Sequence, residues 1–596
     1  MIPTGGPESE AVALFQAGRF AEAEVAFHAI LATDPGNASA LHALGVIAIQ
    51  AGRFGEAADL LQRAARHAPV SFALAYNLAS ALRQAGRLDE ALAAFRRAVS
   101  LDPGSADANL GLGNTLRERG DLEGARRAFA ATLRLDPRMA GAHYNLALVD
   151  IGEGNLDAAE AGLRHVVELD PSHADAWNHL GLIANRRERL DEAIALYDRA
   201  IAARPGFAPA FANRGNAMKD FGDLDAALEC YERALAANPQ ETGALVNRAS
   251  IALERGDLGA ARRAAARALD IRPESAEARY ALGLVELREF DFERGWDGYE
   301  RRFDTNPPVA TVAAPRGRRL QADELAHVKR LAVRREQGLG DQVLFSTLLP
   351  ELVERGIECV AELDPRLAAA YRRSLPAVEL PEPPARAAAL AACDREIPIG
   401  SLPALFRRTS ASFDRQPKAL LCADAGRVAH ARSLLGPGRN IAISWRSFQG
   451  FGRRHIGERK SIPLEQFAAL EGPGVRLVDL QYGDVGDERR AFDDSHAGLR
   501  AEIAGLDRHD DIEGVLAAIA ACDLVITASN ATAHLAGALG KRTWLVYLAA
   551  NPPFHYWAPR PDGRSLWYPS VEIVTDARWT TWEPAFAAIA DRANAS

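Results

Sequence analysis

Along the first half of the chain, small and apolar positions return every 34 residues. One series is Ala57, Ala91, Ala125, Ala159, Ala193, Ala227 and Ala261, and four residues after its members stand Leu61, Phe95, Phe129, Leu163, Tyr197 and Tyr231. In the same frame Gly18, Gly52, Gly86, Gly120, Gly154, Gly222 and Gly256 recur, broken where Glu188 stands, and Pro35, Pro69, Pro103, Pro137, Pro171, Pro205, Pro239 and Pro273 close each unit. Such a pattern predicts pairs of antiparallel helices. Glycine relieves the tight turn, alanine lets the helices approach, the bulky residue plugs the space between them, and proline starts the next turn. Eight units run from about residue 4 to 275, and a worn ninth comes after them with Gly283, Phe290, Gly295, Tyr299 and a terminal Pro307.

These are the marks of a tetratricopeptide repeat (TPR), which implies an α-solenoid over residues 1–305. Such stacks form a right-handed superhelix whose concave face, made by the first helix of each pair, binds an extended peptide or a partner helix; a scaffold or dimerisation surface is the plainer alternative. One frame position on that first helix carries Asn77, Asn145, Asn213 and Asn247, with Gly111 and His179 interposed. An amide offers donor and acceptor together, so a row of them can clamp a peptide main chain. The same residues can instead cap or pack inside each repeat. The row resembles the asparagine ladder of the O-linked N-acetylglucosamine transferases, which implies acceptor-peptide binding.

From Asn306 the period stops, and a proline-rich, basic connector is expected over residues 306–328. Beyond it, short apolar runs alternate with helical segments: LAVRRE, IECVAEL and REIPIG first, then NIAISW, RLVDLQYG, CDLVITAS and RTWLVYL after the break LLGPGRN. Alternation of this kind builds parallel sheets flanked by helices. Two successive sets predict two Rossmann-like subdomains, 329–435 and 436–596, facing each other across a cleft at the carboxyl ends of their strands. That is the GT-B glycosyltransferase plan, with the nucleotide sugar on the second subdomain.

Composition narrows the classes. Hydrophobic residues at 48% and charged residues at 25% describe a globular chain of 596 residues. With 70 Lys+Arg against 79 Asp+Glu and a net charge of -9, there is no broad basic field for nucleic acid or an anionic membrane surface. The five cysteines are scattered without a C-x-x-C pair, fitting buried thiols in a reducing compartment. Without a signal-peptide pattern or a long apolar run, a cytoplasmic location without membrane insertion is expected.

Three stretches carry candidate chemistry. In EQGLGDQVLF, Gly338 and Gly340 lie in the turn from the first strand to its helix, and Asp341 is either a helix cap or a general base for an acceptor hydroxyl. In TASNATAHLAGALGK, Ser529, Asn530 and Thr532 lead into a helix carrying His534; free amides and the helix dipole there favour phosphate, and the histidine is either a phosphate ligand or a packed core residue. In SWRSFQGFGRRHIGERKSIPLEQF, Arg446, Arg453, Arg454, Arg459 and Lys460 suit phosphate or a sugar carboxylate, or form a solvated basic loop. Asp223-Leu224-Asp225 lies in a repeat turn and gives no support to a metal-bound sugar nucleotide.

Together EQGLGDQVLF, RKSIPLEQF, LVDLQYGD, AHLAGALGK and WYPS, preceded by DFERGWDGYERR, resemble bacterial proteins that join tetratricopeptide repeats to a glycosyltransferase domain. That domain is similar to the heptosyltransferases and, more distantly, to the O-linked N-acetylglucosamine transferases. The chain also resembles flagellin-modifying transferases that move a sialic-acid-like nonulosonate, such as pseudaminate, from its CMP form. The resemblance implies that Asp341 is the base, Lys460 meets donor phosphate, His534 sits at the nucleotide phosphates and Glu488 holds the ribose. Heptosyltransferases carry Asp-Thr five and four residues before that histidine; here stand Ser529 and Asn530, which fits a changed donor or a weakened site. The expectation is an inverting, metal-independent protein O-glycosyltransferase acting on Ser or Thr of a polypeptide such as flagellin, with nucleotide sugar as co-substrate and no cofactor. A non-catalytic adaptor, or transfer to a glycan or lipid, is the alternative.

Overall fold

The computed structural model describes residues 7–310, 320, 322–448 and 454–595. The chain divides into two compact units, Met1–Asn213 and Arg214–Ser596.

In the first unit the repeat frame becomes helix pairs, beginning with Pro7–Gln16 and Phe20–Thr33. The turn glycines take the left-handed backbone, with φ of 73° at Gly18, 72° at Gly52 and 87° at Gly120. Where the frame breaks, Glu188 adopts φ 61°, so the turn is kept although a side chain there costs about 1–2 kcal/mol. The alanines Ala57, Ala91, Ala125, Ala159 and Ala193 are all fully buried. Glycines stand close against several plugs: a β-carbon on Gly45 would lie 2.5 Å from Leu61, and one on Gly181 would lie 2.5 Å from Tyr197.

In the second unit the pairs continue to Ala276–Arg288 and Phe292–Tyr299. Asp223 of the D-x-D caps a helix by accepting from the Ala226 amide at 2.9 Å, and Asp225 pairs with Arg255 at 2.7 Å. The last pair is not a free end. Leu287, Phe292, Trp296 and Tyr299 lie in one apolar core with Leu331, Val333, Val343 and Trp567 of the α/β region. The Trp296 indole donates to the Arg407 carbonyl at 2.8 Å. The repeats after Asn213 thus form one compact unit with the α/β region, whereas the sequence pattern suggests a separation near residue 306. Of the expected connector, residues 311–319 and 321 lie outside the described residues.

The α/β region holds two parallel sheets. The first comprises β1 (Arg330–Arg334), β2 (Glu358–Ala361), β3 (Val378–Glu379) and β4 (Arg395–Pro398), in the order β3-β2-β1-β4. The second comprises β5 (Arg439–Ser444), β6 (Val475–Asp479), β7 (Arg500–Ala501), β8 (Leu524–Thr527), β9 (Thr543–Val546) and β10 (Val571–Val574), in the order β10-β9-β8-β5-β6-β7. Read from β7, this is the doubly wound order 3-2-1-4-5-6. In each sheet the chain winds outward from its first strand and then returns to that strand's other side. The strand order therefore reverses between β1 and β4, and again between β5 and β8. A ligand crevice is expected at the carboxyl ends of such strand pairs, and the candidate residues come directly after three of those four strands.

Candidate functional site

A cavity of about 940 Å³ opens in the second unit, walled by the last repeats, by the turn after β1 and by the segments after β5 and β8.

The first wall is the turn Glu336-Gln337-Gly338. Gln337 takes φ 63°, and Gly338 caps the helix Leu339–Phe345 from an extended backbone. Asp341 is the third residue of that helix. Its carboxylate accepts from the Gly338 amide at 3.3 Å and from the Tyr556 phenol, and it lines the cavity. It is thus both a helix-capping group and a cavity group. Burial lifts its carboxyl to about 6, while the Tyr556 phenol and Gly338 amide pull it back, nearby Glu336 pushes it up and Lys460 pulls it down. A carboxylate so tuned is ionised at neutral pH and basic enough to accept a proton from a hydroxyl in a transition state.

Only one of the two glycines is needed for its lack of a side chain. A β-carbon at Gly340 would fall 2.8 Å from His534 Cδ2, whereas at Gly338 its nearest neighbour would be Asp341 Oδ2 at 3.5 Å.

The opposite wall runs from β8 into the helix Ala531–Ala538. Asn530 is consumed by the fold. Its amide nitrogen donates to Ser444 Oγ at 2.8 Å and to the Arg446 carbonyl at 3.1 Å, and its oxygen accepts from the Thr532 amide at 3.0 Å. This side chain stitches β5 to β8 and caps the helix, and the residue also lines the cavity. Ser529 and Thr532, both nearly buried, line the cavity beside it.

His534 is 4% exposed. Its Nδ1 faces the Tyr568 hydroxyl at 3.2 Å, and the Trp557 ring lies 4.7 Å away. Burial pushes the imidazole down to about 3, so at neutral pH it is uncharged. It is a buried, neutral hydrogen-bonding group on the cavity wall.

Lys460 ends the helix Arg454–Lys460, with its ammonium 3.5 Å from the centre of the Phe554 ring. Arg459 beside it donates to Asn551 Oδ1 at 2.7 Å. Both line the cavity. Arg453 lies outside the described residues, as does the side chain of Arg454. Arg446 and Glu488, the expected phosphate and ribose ligands, are placed elsewhere. Glu488 accepts from Arg446 Nε at 2.9 Å and from the Trp445 indole at 2.8 Å, and neither charged residue lines the cavity. Their opposite charges satisfy each other across 42 residues of sequence.

Sequence reasoning missed Tyr556, which holds the Asp341 carboxylate, and Phe448, an exposed ring on the cavity wall 5.7 Å from that of Tyr482. It also missed the cavity's charge. Lys219, Arg288, Arg366, Arg459, Lys460 and Arg508 line it against Asp220, Glu254 and Asp341. Six cations facing three acids favour an anion there, with Arg366 already held by Asp364 at 2.9 Å and Arg459 4.0 Å from Glu254.

The asparagines form bonds within the array. In the first unit Asn77 Nδ2 meets His42 Nε2 at 3.1 Å, Asn145 donates to the Gly141 carbonyl at 2.8 Å, and Asn213 donates to Asn178 Oδ1 at 2.9 Å. In the second unit Asn247 donates to Asn216 Oδ1 at 2.8 Å. All four are partly exposed, so each packs inside the repeats while keeping part of its amide accessible.

The tetratricopeptide-repeat family matches residues 9–72, 42–106, 110–162, 144–206, 213–276 and 247–301, and a second model of the same repeat matches 82–133. The first half of the chain is a tetratricopeptide-repeat array. The chain is similar to protein FlbA of Caulobacter vibrioides, 33% identical over 340 residues, which covers 53% of this chain and 54% of FlbA. It thus spans about half the length of that curated relative. Among solved structures, a tetratricopeptide repeat protein from Parabacteroides merdae is 20% identical, covering 42% of this chain and 98% of its own, with a TM-score of 0.36. The Cut9-Hcn1 hetero-tetramer of the APC/C is 19% identical, covering 47% of this chain and 55% of that one, with a TM-score of 0.36. Among the described residues no helix is long and apolar enough to cross a membrane.

Proposed function

We propose that this protein is an inverting glycosyltransferase of the GT-B type, moving a nucleotide-activated sugar to a Ser or Thr hydroxyl of a polypeptide recruited by its repeats. The observation that carries this reading is the position of Asp341: a partly buried carboxylate, lifted to about 6, on the wall of a cation-rich cavity at the carboxyl ends of two parallel sheets. In the proposed step the acceptor oxygen attacks the anomeric carbon while Asp341 takes its proton. The bond from that carbon to the phosphate oxygen breaks, and the nucleotide leaves with the electron pair. Lys460 balances the charge on the departing phosphate, and the neutral His534 contributes a hydrogen bond. No step calls for a metal. The motif resemblance to flagellin-modifying transferases, with CMP-pseudaminate as donor, makes flagellin the first acceptor to try.

Intact-mass analysis of flagellin co-expressed with this protein and candidate sugar-nucleotide pathways tests the reading. The expected result is a mass increment of one sugar or its multiples, lost with Asp341→Asn. An unmodified flagellin with every pathway tried, and no binding of CMP, UDP or ADP by the purified protein, would replace it. The reading then favoured is a non-catalytic repeat adaptor, consistent with the side chain of Asn530 being consumed by the fold.

A further inference from the structure

The segment DFERGWDGYERR closes the last repeat and has no place in the chemistry above. Its final arginine is completely buried. Arg302 Nε donates to Glu336 Oε1 at 2.7 Å and Nη2 to Glu336 Oε2 at 2.9 Å, a two-pronged bond between side chains that are both sealed from solvent. Nη2 also reaches Ser401 Oγ at 2.8 Å, just beyond β4, and Nη1 reaches Glu300 Oε1 at 2.5 Å. Ser401 in turn donates to Glu300 Oε2 at 3.0 Å. The guanidinium lies between the rings of Tyr299 and Phe303, 4.5 and 4.2 Å from their centres.

Glu336 is the first residue of the turn that carries Asp341. Two residues later Gly338 caps the helix, and between them Gln337 is held in a left-handed conformation while bonded to the Tyr299 hydroxyl. On the far side Gly400 leaves no spare room, since a β-carbon there would lie 2.7 Å from Glu336 Oε2. The turn is therefore fixed by the last repeat on one side and by the segment after β4 on the other. A bidentate guanidinium fixes direction as well as distance, which an ammonium does not.

We propose that Arg302 of the repeat array is a positioning residue for the Asp341 carboxylate, acting through Glu336 and the turn next to it. The inference rests on the reading of Asp341 as the base. It makes the worn last repeat part of the catalytic apparatus rather than a spacer. The coupling has two parts. The fork sets where the turn stands, and misplacing a catalytic group by about 1 Å can cost on the order of a hundredfold in rate. Pairing with Arg302 also counters the negative charge of Glu336, which opposes ionisation of Asp341.

Two variants of the full-length protein test this. Arg302→Lys keeps the charge and removes the fork. It is expected to fold, to bind CMP or the accepted nucleotide within about twofold of wild type, and to transfer sugar in a single turnover at least tenfold more slowly. Glu336→Gln leaves Arg302 paired with Glu300 and removes the acid that opposes ionisation of Asp341. Its rate, which falls as pH drops through the Asp341 transition, is expected to fall at a lower pH than in wild type. A purely structural role for the pair would lower stability while leaving the single-turnover rate of folded Arg302→Lys at the wild-type level. If Arg302→Lys does not fold, the pH profile of Glu336→Gln decides. Wild-type rate in Arg302→Lys, or an unmoved acid limb in Glu336→Gln, would overturn the proposal alone, provided Asp341→Asn is inactive. An active Asp341→Asn would overturn the reading of Asp341 and this inference with it.

Discussion

Gly340 and His534 face each other so closely that a methyl group on the glycine would stand 2.8 Å from the imidazole Cδ2. The contact joins the helix that carries Asp341 to the helix that begins after β8, at the two switch points where the cavity forms.

Gly340→Ala should therefore disturb the site while Gly338→Ala should not. Overpacking costs about 1–3 kcal/mol, to be read as a lowered Tm together with a loss of nucleotide affinity in calorimetry. At Gly338, with φ -73° and its nearest neighbour at 3.5 Å from an added β-carbon, Tm and affinity are expected to stay near wild type. Equal effects at the two positions would mean that the helices can part without consequence.

Asp341→Asn should lose transfer by roughly two to four orders of magnitude and yet gain stability. The carboxyl stands at about 6 in the fold against an ordinary value of 3.8. A group raised on folding favours the fold when protonated and burdens it once ionised. The stability advantage of the Asn variant is therefore expected to be absent below about pH 4, to grow between about pH 4 and 6, and to level off above. Thermal melts of both proteins across that range check the sign. A variant less stable than wild type in mild alkali would show that the carboxylate's bonds to Gly338 and Tyr556 outweigh the cost of its burial.

How far the sequence discloses all this depends on the range of the contact. The repeat frame is legible because each of its demands is met within 34 residues and renewed in every unit; even Glu188, which departs from it, keeps the left-handed turn. Asp341 and His534 are legible because a glycine-rich turn or a helix start advertises them locally. Arg446 and Glu488 are legible as charged groups, but that they pair with each other across 42 residues is not. Asn530 reads as a departure in the donor site, but its bonds to Ser444 and Arg446 span 86 and 84 residues. The joining of the last repeat to the α/β core rests on pairs such as Trp296 with Arg407, 111 residues apart. No local pattern foretells these.

Phe448 is 45% exposed and lines the cavity. It lies over Gly483 so tightly that a β-carbon there would be 2.5 Å from its ring. A flat apolar surface held in a cation-rich cavity suits the face of a nucleobase. Stacking of a base on an aromatic ring contributes about 1–3 kcal/mol, so Phe448→Ala should weaken nucleotide binding by roughly five- to a hundredfold, with little change in Tm. Inorganic pyrophosphate, which has no base, should bind the variant and wild type alike. Parallel loss of both ligands would place the defect in the cavity's shape rather than in stacking.

Cutting the chain at two different points should give opposite outcomes. A fragment that starts at Pro205, ahead of the helix Ala208–Phe221, keeps that helix whole and retains all of the second compact unit. It should fold and bind nucleotide like the full chain, while transfer to a polypeptide falls because most of the array is gone. A fragment that starts at Asp304 loses Phe292, Trp296 and Tyr299, each no more than 4% exposed. Burial of such side chains contributes about 1.5–3 kcal/mol apiece, so three of them amount to much of a typical domain's margin of about 5–15 kcal/mol. That fragment also strips Arg302 from Glu336 and leaves a buried carboxylate without its partner, a further destabilisation of about 3–5 kcal/mol. It should therefore be insoluble or unfolded by circular dichroism. A soluble, cooperatively melting protein from Asp304 onward that binds nucleotide as tightly as the full chain would show the last repeat to be a separable spacer, and the positioning role of Arg302 would fall with that result.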